Sequence, residues 1–145
     1  WIDTMESLDK LLGESDYVLI GLPLSKETRG LFDTARLARM KSDGVLINVG
    51  RGLIIDEGSL YKALVDKTIG GAIIDVWYGY PTSNKPDRSP WNFPFKELDN
   101  IVMTPHNSAL SDDMHDRRWR FIAENLDRFS RGEPLLNVCF EGTAV

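Results

Sequence analysis

At 145 residues, 42% apolar and 27% charged, the chain has the size and balance of one ordinary globular domain with a sizeable core. Its 17 basic residues against 22 acidic ones give a net charge of −5, which leaves no basic stripe to neutralise phosphates and argues against a nucleic-acid partner. A single cysteine, Cys139, excludes an internal disulfide and a metal cluster, and no apolar run approaches the roughly 20 residues that span a bilayer.

The first four residues, Trp1-Ile-Asp-Thr, have neither the basic start nor the apolar centre of a signal peptide, so the default address is the cytoplasm. An opening on Trp1 rather than methionine reads as a fragment. Ser7 is placed to cap a short helix through Leu12, with Gly13 ending it. The run from Asp16 to Pro23 is continuously apolar after Asp16, as in a strand buried on both faces. Asp33 can cap a helix over Thr34 to Met40, and Asp56 another to about Asp66 with Leu60, Ala63 and Leu64 on one side. Strands are expected at Gly44 to Val49, Gly70 to Val76 and Asn100 to Thr104, with a long irregular stretch from Trp77 to Leu98. Ser111 can cap a last helix from Asp112 to about Arg131, in which Trp119, Ile122, Leu126 and Phe129 form one stripe expected to be buried. The tail, Gly132 to Val145, reads as mostly extended, and Cys139 within it as a small apolar residue.

Strands separated by helix-length segments are the pattern of an α/β fold with a parallel sheet and right-handed crossovers. In such sheets ligands sit beyond the carboxyl ends of the strands. Those ends carry Gly21-Leu22-Pro23, Val49-Gly50-Arg51, Asp75-Val76-Trp77 and Thr104-Pro105-His106. Arg51, between two glycines, offers a rigid fork of donors for a small carboxylate or phosphate, or a partner for a surface carboxylate. His106 suits general acid or base work near neutrality, or the capping of a loop. Asp75 could accept hydrogen bonds from a ligand amide or sugar, or cap the next loop. His115 sits in a helical charge cluster and reads as solvated, and the four tryptophans read as core and loop anchors.

Leu22-Pro-Leu-Ser-Lys-Glu-Thr28, Leu46-Ile-Asn-Val-Gly-Arg-Gly52, Asp56-Glu57, Gly71-Ala-Ile-Ile-Asp-Val76 and Thr104-Pro-His106 resemble the D-isomer-specific 2-hydroxyacid dehydrogenases, from about Ile2 to Val138 and with matching spacing. The resemblance implies a parallel-sheet, Rossmann-like fold, NAD or NADP as cofactor, and hydride transfer with a small 2-keto or 2-hydroxy acid. It implies that Arg51 holds the substrate carboxylate and polarises the keto oxygen, and that His106 supplies the proton. Pro23, Ser25, Val49, Gly50, Arg51, Asp75, His106 and Ser108 fall where the family meets the dinucleotide, with Asp75 at the nicotinamide amide or its ribose. It further implies a homodimer. Residues 1–131 would be the C-terminal part of the dinucleotide domain, and 132–145 a tail returning to a substrate domain largely outside this chain.

Two departures stand out. The family glutamate that charges the histidine is here Tyr80, in Asp75-Val-Trp-Tyr-Gly-Tyr-Pro81. Formate dehydrogenases of the family also lack it, in a similar Asp-Val-Trp context. A carboxylate neighbour raises a histidine pKa by roughly one to two units. Without one, His106 is expected to carry its proton less often at neutral pH, so that keto-acid reduction is slow or favoured by acid, unless another carboxylate such as Asp87 folds back. Secondly, the G-x-G-x-x-G loop and its acidic companion are absent, so weak or no cofactor binding is expected of these residues alone. Beside the dehydrogenase stand two alternatives: formate oxidation, and a cofactor-sensing interaction protein without turnover, like the family's corepressor branch.

Overall fold

A computed structural model describes residues 4–138. It divides into two units, Trp1–Ser108 and Ala109–Val145.

The first unit holds helix α1 (Leu8–Glu14), strand β1 (Tyr17–Ile20), α2 (Thr34–Leu37), β2 (Val45–Asn48), α3 (Glu57–Val65), β3 (Gly71–Ile74) and β4 (Ile101–Met103), with short 3-10 turns at Met5–Ser7, Gly52–Ile54 and Phe95–Glu97. The strands form one sheet in the order β1-β2-β3-β4, every pair parallel, as the α/β expectation required. Ile20 pairs with Asn48, Asn48 with Ile74, and Ile74 with Met103, so the carboxyl ends of neighbouring strands lie side by side. Two helix starts are built as the sequence indicates: Asp33 accepts from the Arg36 N–H at 2.9 Å, and Asp56 from the Ser59 N–H at 2.8 Å. Each such cap contributes about 1 kcal/mol by satisfying an otherwise orphaned helix donor.

The core lies on one side of the sheet. Val18, Ile20, Leu46, Ala72 and Ile74 pack in one cluster with Leu12, Leu37, Leu60, Ala63 and Leu64 of the helices. The expectation that β1 is buried on both faces is corrected: Val18 and Ile20 are buried, whereas Tyr17 is 71% exposed and Leu19 63%. The topology explains this. Right-handed crossovers that always step in one direction put every connection on the same side. The opposite face, with Tyr17, Leu19 and Val102, is therefore left uncovered within this unit.

Two helix ends and one cap also differ. Gly13 lies inside α1, which ends at Glu14, because it takes no left-handed backbone and the Ser15 N–H still reaches the Leu11 carbonyl. Ser7 stands at the N-cap without a side-chain cap bond. α2 stops at Leu37, and tighter turns carry the chain on to a buried Met40.

In the second unit, α4 (Met114–Ser130) begins later than expected, with Asp113 rather than Ser111 at its N-cap. Its stripe is not buried: Trp119 is 65% exposed, Leu126 64% and Phe129 74%. Among the described residues of the unit, the segment around Leu135, Leu136 and Val138 lies against it, tied down where Asn125 accepts from the Leu136 N–H at 2.8 Å. That segment is too short to cover four turns of helix. Residues 132–138 form no strand, and Cys139, Trp1 and the rest of the tail lie outside the described residues. Among the described residues no helix is long and apolar enough to cross a membrane, and no cluster of His, Cys, Asp or Glu is placed to hold a metal.

Candidate active site at the carboxyl edge of the sheet

The turn after β2 is locked from beneath. Asn48 is fully buried; its Nδ2 donates to the Arg51 carbonyl at 3.1 Å and its Oδ1 accepts from the Gly50 N–H at 3.1 Å. The glycines beside Arg51 are needed for close approach of other backbone, not for an unusual conformation, since neither has a positive φ. A Cβ on Gly50 would stand 2.7 Å from the Leu22 carbonyl oxygen, and one on Gly52 2.4 Å from that of Trp77. Backbone cannot swing aside as a side chain can. Gly52→Ala is therefore expected to cost about 3 kcal/mol of stability, the upper end for overpacking, measurable by denaturant unfolding. A loss below ~0.5 kcal/mol, the size of an ordinary surface change, would contradict this close packing.

Arg51 has extended backbone and an exposed side chain. Its Nη1 donates to the adjacent Gly50 carbonyl at 2.6 Å, and it makes no ion pair among the described residues. The alternative of a surface carboxylate partner is thus not realised. Most of the guanidinium fork stays open to an anion.

His106 follows β4 by three residues, as Arg51 follows β2. The two strands are two places apart, about 10 Å between backbones. His106 is exposed and takes a left-handed backbone, φ 60, which costs a residue with a side chain about 1 kcal/mol. The loop around it is tied to Asp75, which follows β3 directly and is 2% exposed. Asp75 Oδ1 accepts from Thr104 Oγ1 at 2.5 Å and from the Asn107 N–H at 3.0 Å. Its Oδ2 accepts from Ser108 Oγ at 2.6 Å and from the Ser108 N–H at 3.2 Å. Burial pushes the carboxyl pKa up, but the bonds from Ser108, Thr104 and Asn107 outweigh it and hold it down at about 2. The sign follows from linkage: the depressed group stabilises the fold above the ordinary carboxylate range, and that contribution fades only as pH falls toward 2. Asp75 is ionised at neutral pH.

Tyr80 faces His106, with ring centroids 5.5 Å apart and planes at 38°. Its phenol oxygen accepts the Trp77 N–H at 2.9 Å. Trp77 is buried, its indole N–H donates to the Thr104 carbonyl at 2.9 Å, and its ring meets Trp91 edge-on at 4.7 Å. Trp77 thus touches the Arg51 turn through Gly52, Tyr80 through its N–H, and the histidine loop through its indole. Asp87 is exposed and makes no ion pair with His106. A groove of about 550 Å³, lined by Trp77, Tyr80, Trp91, Met103 and Pro105 among others, opens alongside.

The remaining positions lie on the same edge. Val49 is 37% exposed, with its N–H on the Ile20 carbonyl. Ser25 closes its own turn, accepting from the N–H groups of Glu27 and Thr28, while the Pro23 carbonyl accepts from Thr28 Oγ1 at 2.7 Å. The Ser108 donors already belong to Asp75. Sequence reasoning gave no role to Asn48 or to Trp77 as a bridge. The one polar residue closing the run Val45-Leu-Ile-Asn48 was the available signal for the first.

Fold and edge together make a parallel, Rossmann-like α/β module with an arginine unpaired among the described residues and a histidine at the carboxyl edge of its sheet. Residues 2–108 match the family model described as D-isomer specific 2-hydroxyacid dehydrogenase, NAD binding domain, and the chain belongs to that family. It is 39% identical over 126 residues to a glyoxylate reductase of Korarchaeum cryptofilum, covering 87% of this chain and 36% of that one. It is 36% identical over 128 residues to the mitochondrial formate dehydrogenase of Solanum tuberosum, covering 88% and 32%. Among solved structures it is similar to an NADPH-dependent glyoxylate/hydroxypyruvate reductase from Sinorhizobium meliloti in complex with NADP and sulfate, at TM-score 0.74 and 32% identity, covering 92% and 41%. A D-isomer specific 2-hydroxyacid dehydrogenase from Xanthobacter autotrophicus Py2, in complex with NADPH and MES, aligns at TM-score 0.71 and 35% identity, covering 92% and 51%. The chain spans about a third of the length of the curated relatives it matches.

Proposed function

We propose that the protein carrying this chain is an NAD(P)-dependent oxidoreductase acting between a small D-2-hydroxy acid and its 2-keto acid. The observation that carries this reading is an unpaired Arg51 and an exposed His106 on one strand edge, each held by a buried polar residue. In this reading Arg51 binds the substrate carboxylate through its fork and places a positive charge against the keto oxygen, where negative charge develops. His106 delivers the proton to that oxygen in reduction and removes it in oxidation. Val49 and Pro23 meet the nicotinamide, with Ser25, Gly50 and Ser108 alongside. When bound, the cofactor supplies or accepts the hydride. The relatives that reduce glyoxylate and hydroxypyruvate make small 2-keto acids the first substrates to try.

A formate substrate is the second reading, favoured by Tyr80 beside His106, because formate yields hydride and carbon dioxide and needs no proton from the enzyme. The proposal also takes residues 1–131 as the C-terminal part of the nucleotide domain, 132–145 as the return to a substrate domain, and the whole as a cytoplasmic homodimer. The test is a substrate panel on the full-length protein: glyoxylate, hydroxypyruvate and pyruvate with NADH and NADPH, and formate with NAD and NADP. Turnover of a keto acid is expected. Formate alone turning over would favour the second reading, and no turnover at all would favour a cofactor-sensing interaction protein.

A further inference from the structure

The loop from Trp77 to Leu98 contains neither strand nor α-helix, yet it holds Tyr80 against His106. Tyr78 and Gly79 both donate their N–H groups to the Pro90 carbonyl, at 3.1 and 3.0 Å, so the residues just before Tyr80 hang from the far arm of the loop. Residues 82–89 between the two arms are exposed throughout, and the far arm needs an anchor elsewhere.

That anchor is the first turn of α3. One carboxylate oxygen of Glu57 accepts the Asn92 N–H, and the other accepts from Asn92 Nδ2 at 2.8 Å. Two parallel bonds to one carboxylate fix an orientation as well as a position. Tyr61, further along α3, stacks on Phe93 at 5.1 Å and meets the fully buried Phe95 edge-on at 5.4 Å. The aromatic contacts keep the arm near the helix. The paired bonds add direction, two residues from the Pro90 carbonyl. Trp91 lies between, with its ring edge-on to Trp77.

We propose that Glu57 is a positioning residue: through Asn92 and the Pro90 carbonyl it sets the place of Tyr80, and so what the His106 imidazole faces. Its effect on turnover rests on the dehydrogenase reading; its effect on the loop does not.

The test uses the full-length protein. Asn92→Asp leaves α3 untouched and sets two carboxylates face to face. Hydrogen exchange without cofactor should then show the Tyr78 and Gly79 amides opening at least about 10-fold faster, the loss of one ordinary hydrogen bond or more. The NMR signals of the His106 imidazole, identified by their loss in His106→Gln, should shift as the Tyr80 ring moves. In turnover, kcat should fall about 10- to 100-fold, as for a slightly misplaced reacting group, with cofactor KM within about 2-fold. Adding Glu57→Gln to Asn92→Asp reverses the side-chain bond: the new amide donates to the new carboxylate, and its oxygen still accepts the backbone N–H. Exchange, imidazole signals and kcat should return to within about 3-fold of the parent, because the two positions act as a coupled pair. If Asn92→Asp fails to fold, Asn92→Ala removes the side-chain bond alone and should speed the same amides several-fold. Unchanged exchange and kcat in the single variants would overturn the proposal. So would losses that the double variant does not recover, since the bonds to position 57 would not be their cause. A fall in kcat with unmoved imidazole signals would overturn it as well. If the parent turns over no substrate, the dehydrogenase reading fails, and exchange and imidazole signals still decide the role of Glu57.

Discussion

Replacing Arg51 by alanine should lower kcat/KM for 2-keto-acid reduction by about 1,000-fold, or ~4 kcal/mol of transition-state stabilisation, while leaving the fold intact. The size follows from two lost interactions. One is the paired hydrogen bond to a carboxylate, which a planar fork makes far better than a point charge. The other is the positive charge against the keto oxygen, which counts most in the transition state. The indifference of the fold follows from the structure. The side chain is exposed, its one hydrogen bond goes to the neighbouring Gly50 carbonyl, and its extended backbone suits any residue. The turn itself is held by Asn48, which binds Gly50 and Arg51 through main-chain atoms only. Arg51→Lys keeps the charge and loses the fork, so it should recover only part of the activity. Steady-state kinetics beside a thermal melt would check all of this. Activity within 10-fold of the parent would mean that another cation holds the substrate. A protein with no turnover, and the same cofactor-linked partner binding before and after the change, would support the interaction-protein alternative.

How far the sequence reaches can be seen in particular elements. The run Gly44 to Asn48 announced its strand because apolar residues bounded by glycine and a polar stop have few other uses, and the four strands pair in parallel as helix-length spacers require. Asp33 and Asp56 announced helix starts because a cap is a local transaction over three residues. Burial was harder. Tyr17 and Leu19 are apolar, and so is the stripe of α4, yet periodicity states only that a face wants cover, not what covers it. The same limit applies at the site. That Arg51 and His106 follow strand ends could be read from the sequence, whereas the four bonds of Asp75 span about 30 residues of chain and leave no mark at either end. The glycines beside Arg51 were legible as a need for space. What fills that space, the backbone of Leu22 and Trp77, came only with the fold.

The second large effect is expected from Tyr80→Glu, which should move the alkaline fall of keto-acid reduction upward by about one to two pH units. The Tyr80 ring already lies 5.5 Å from the imidazole, so a carboxylate at this position comes within the ~4–6 Å over which an opposite charge favours the protonated form. The sign is fixed by the reaction. Reduction consumes the imidazolium proton, so its rate falls about 10-fold per pH unit once the proton is lost. An added carboxylate keeps that proton to higher pH, and at pH 8 the variant should outrun the parent by about 10-fold. Oxidation uses the same imidazole as a base, so its rising limb should move to higher pH in step. Formate oxidation needs no proton and should show neither shift, which makes the same variant a probe of substrate class. Tyr80→Phe is the control: it keeps the ring against His106 but gives up the acceptor for the Trp77 N–H, so it should leave the position of the limb unchanged. At 40% exposure the position tolerates a charge without large loss of stability. Superimposable pH–rate profiles for Tyr80→Glu and the parent would mean that the residue at position 80 does not govern the proton on His106. The uncharged partner seen here would then be a matter of packing alone.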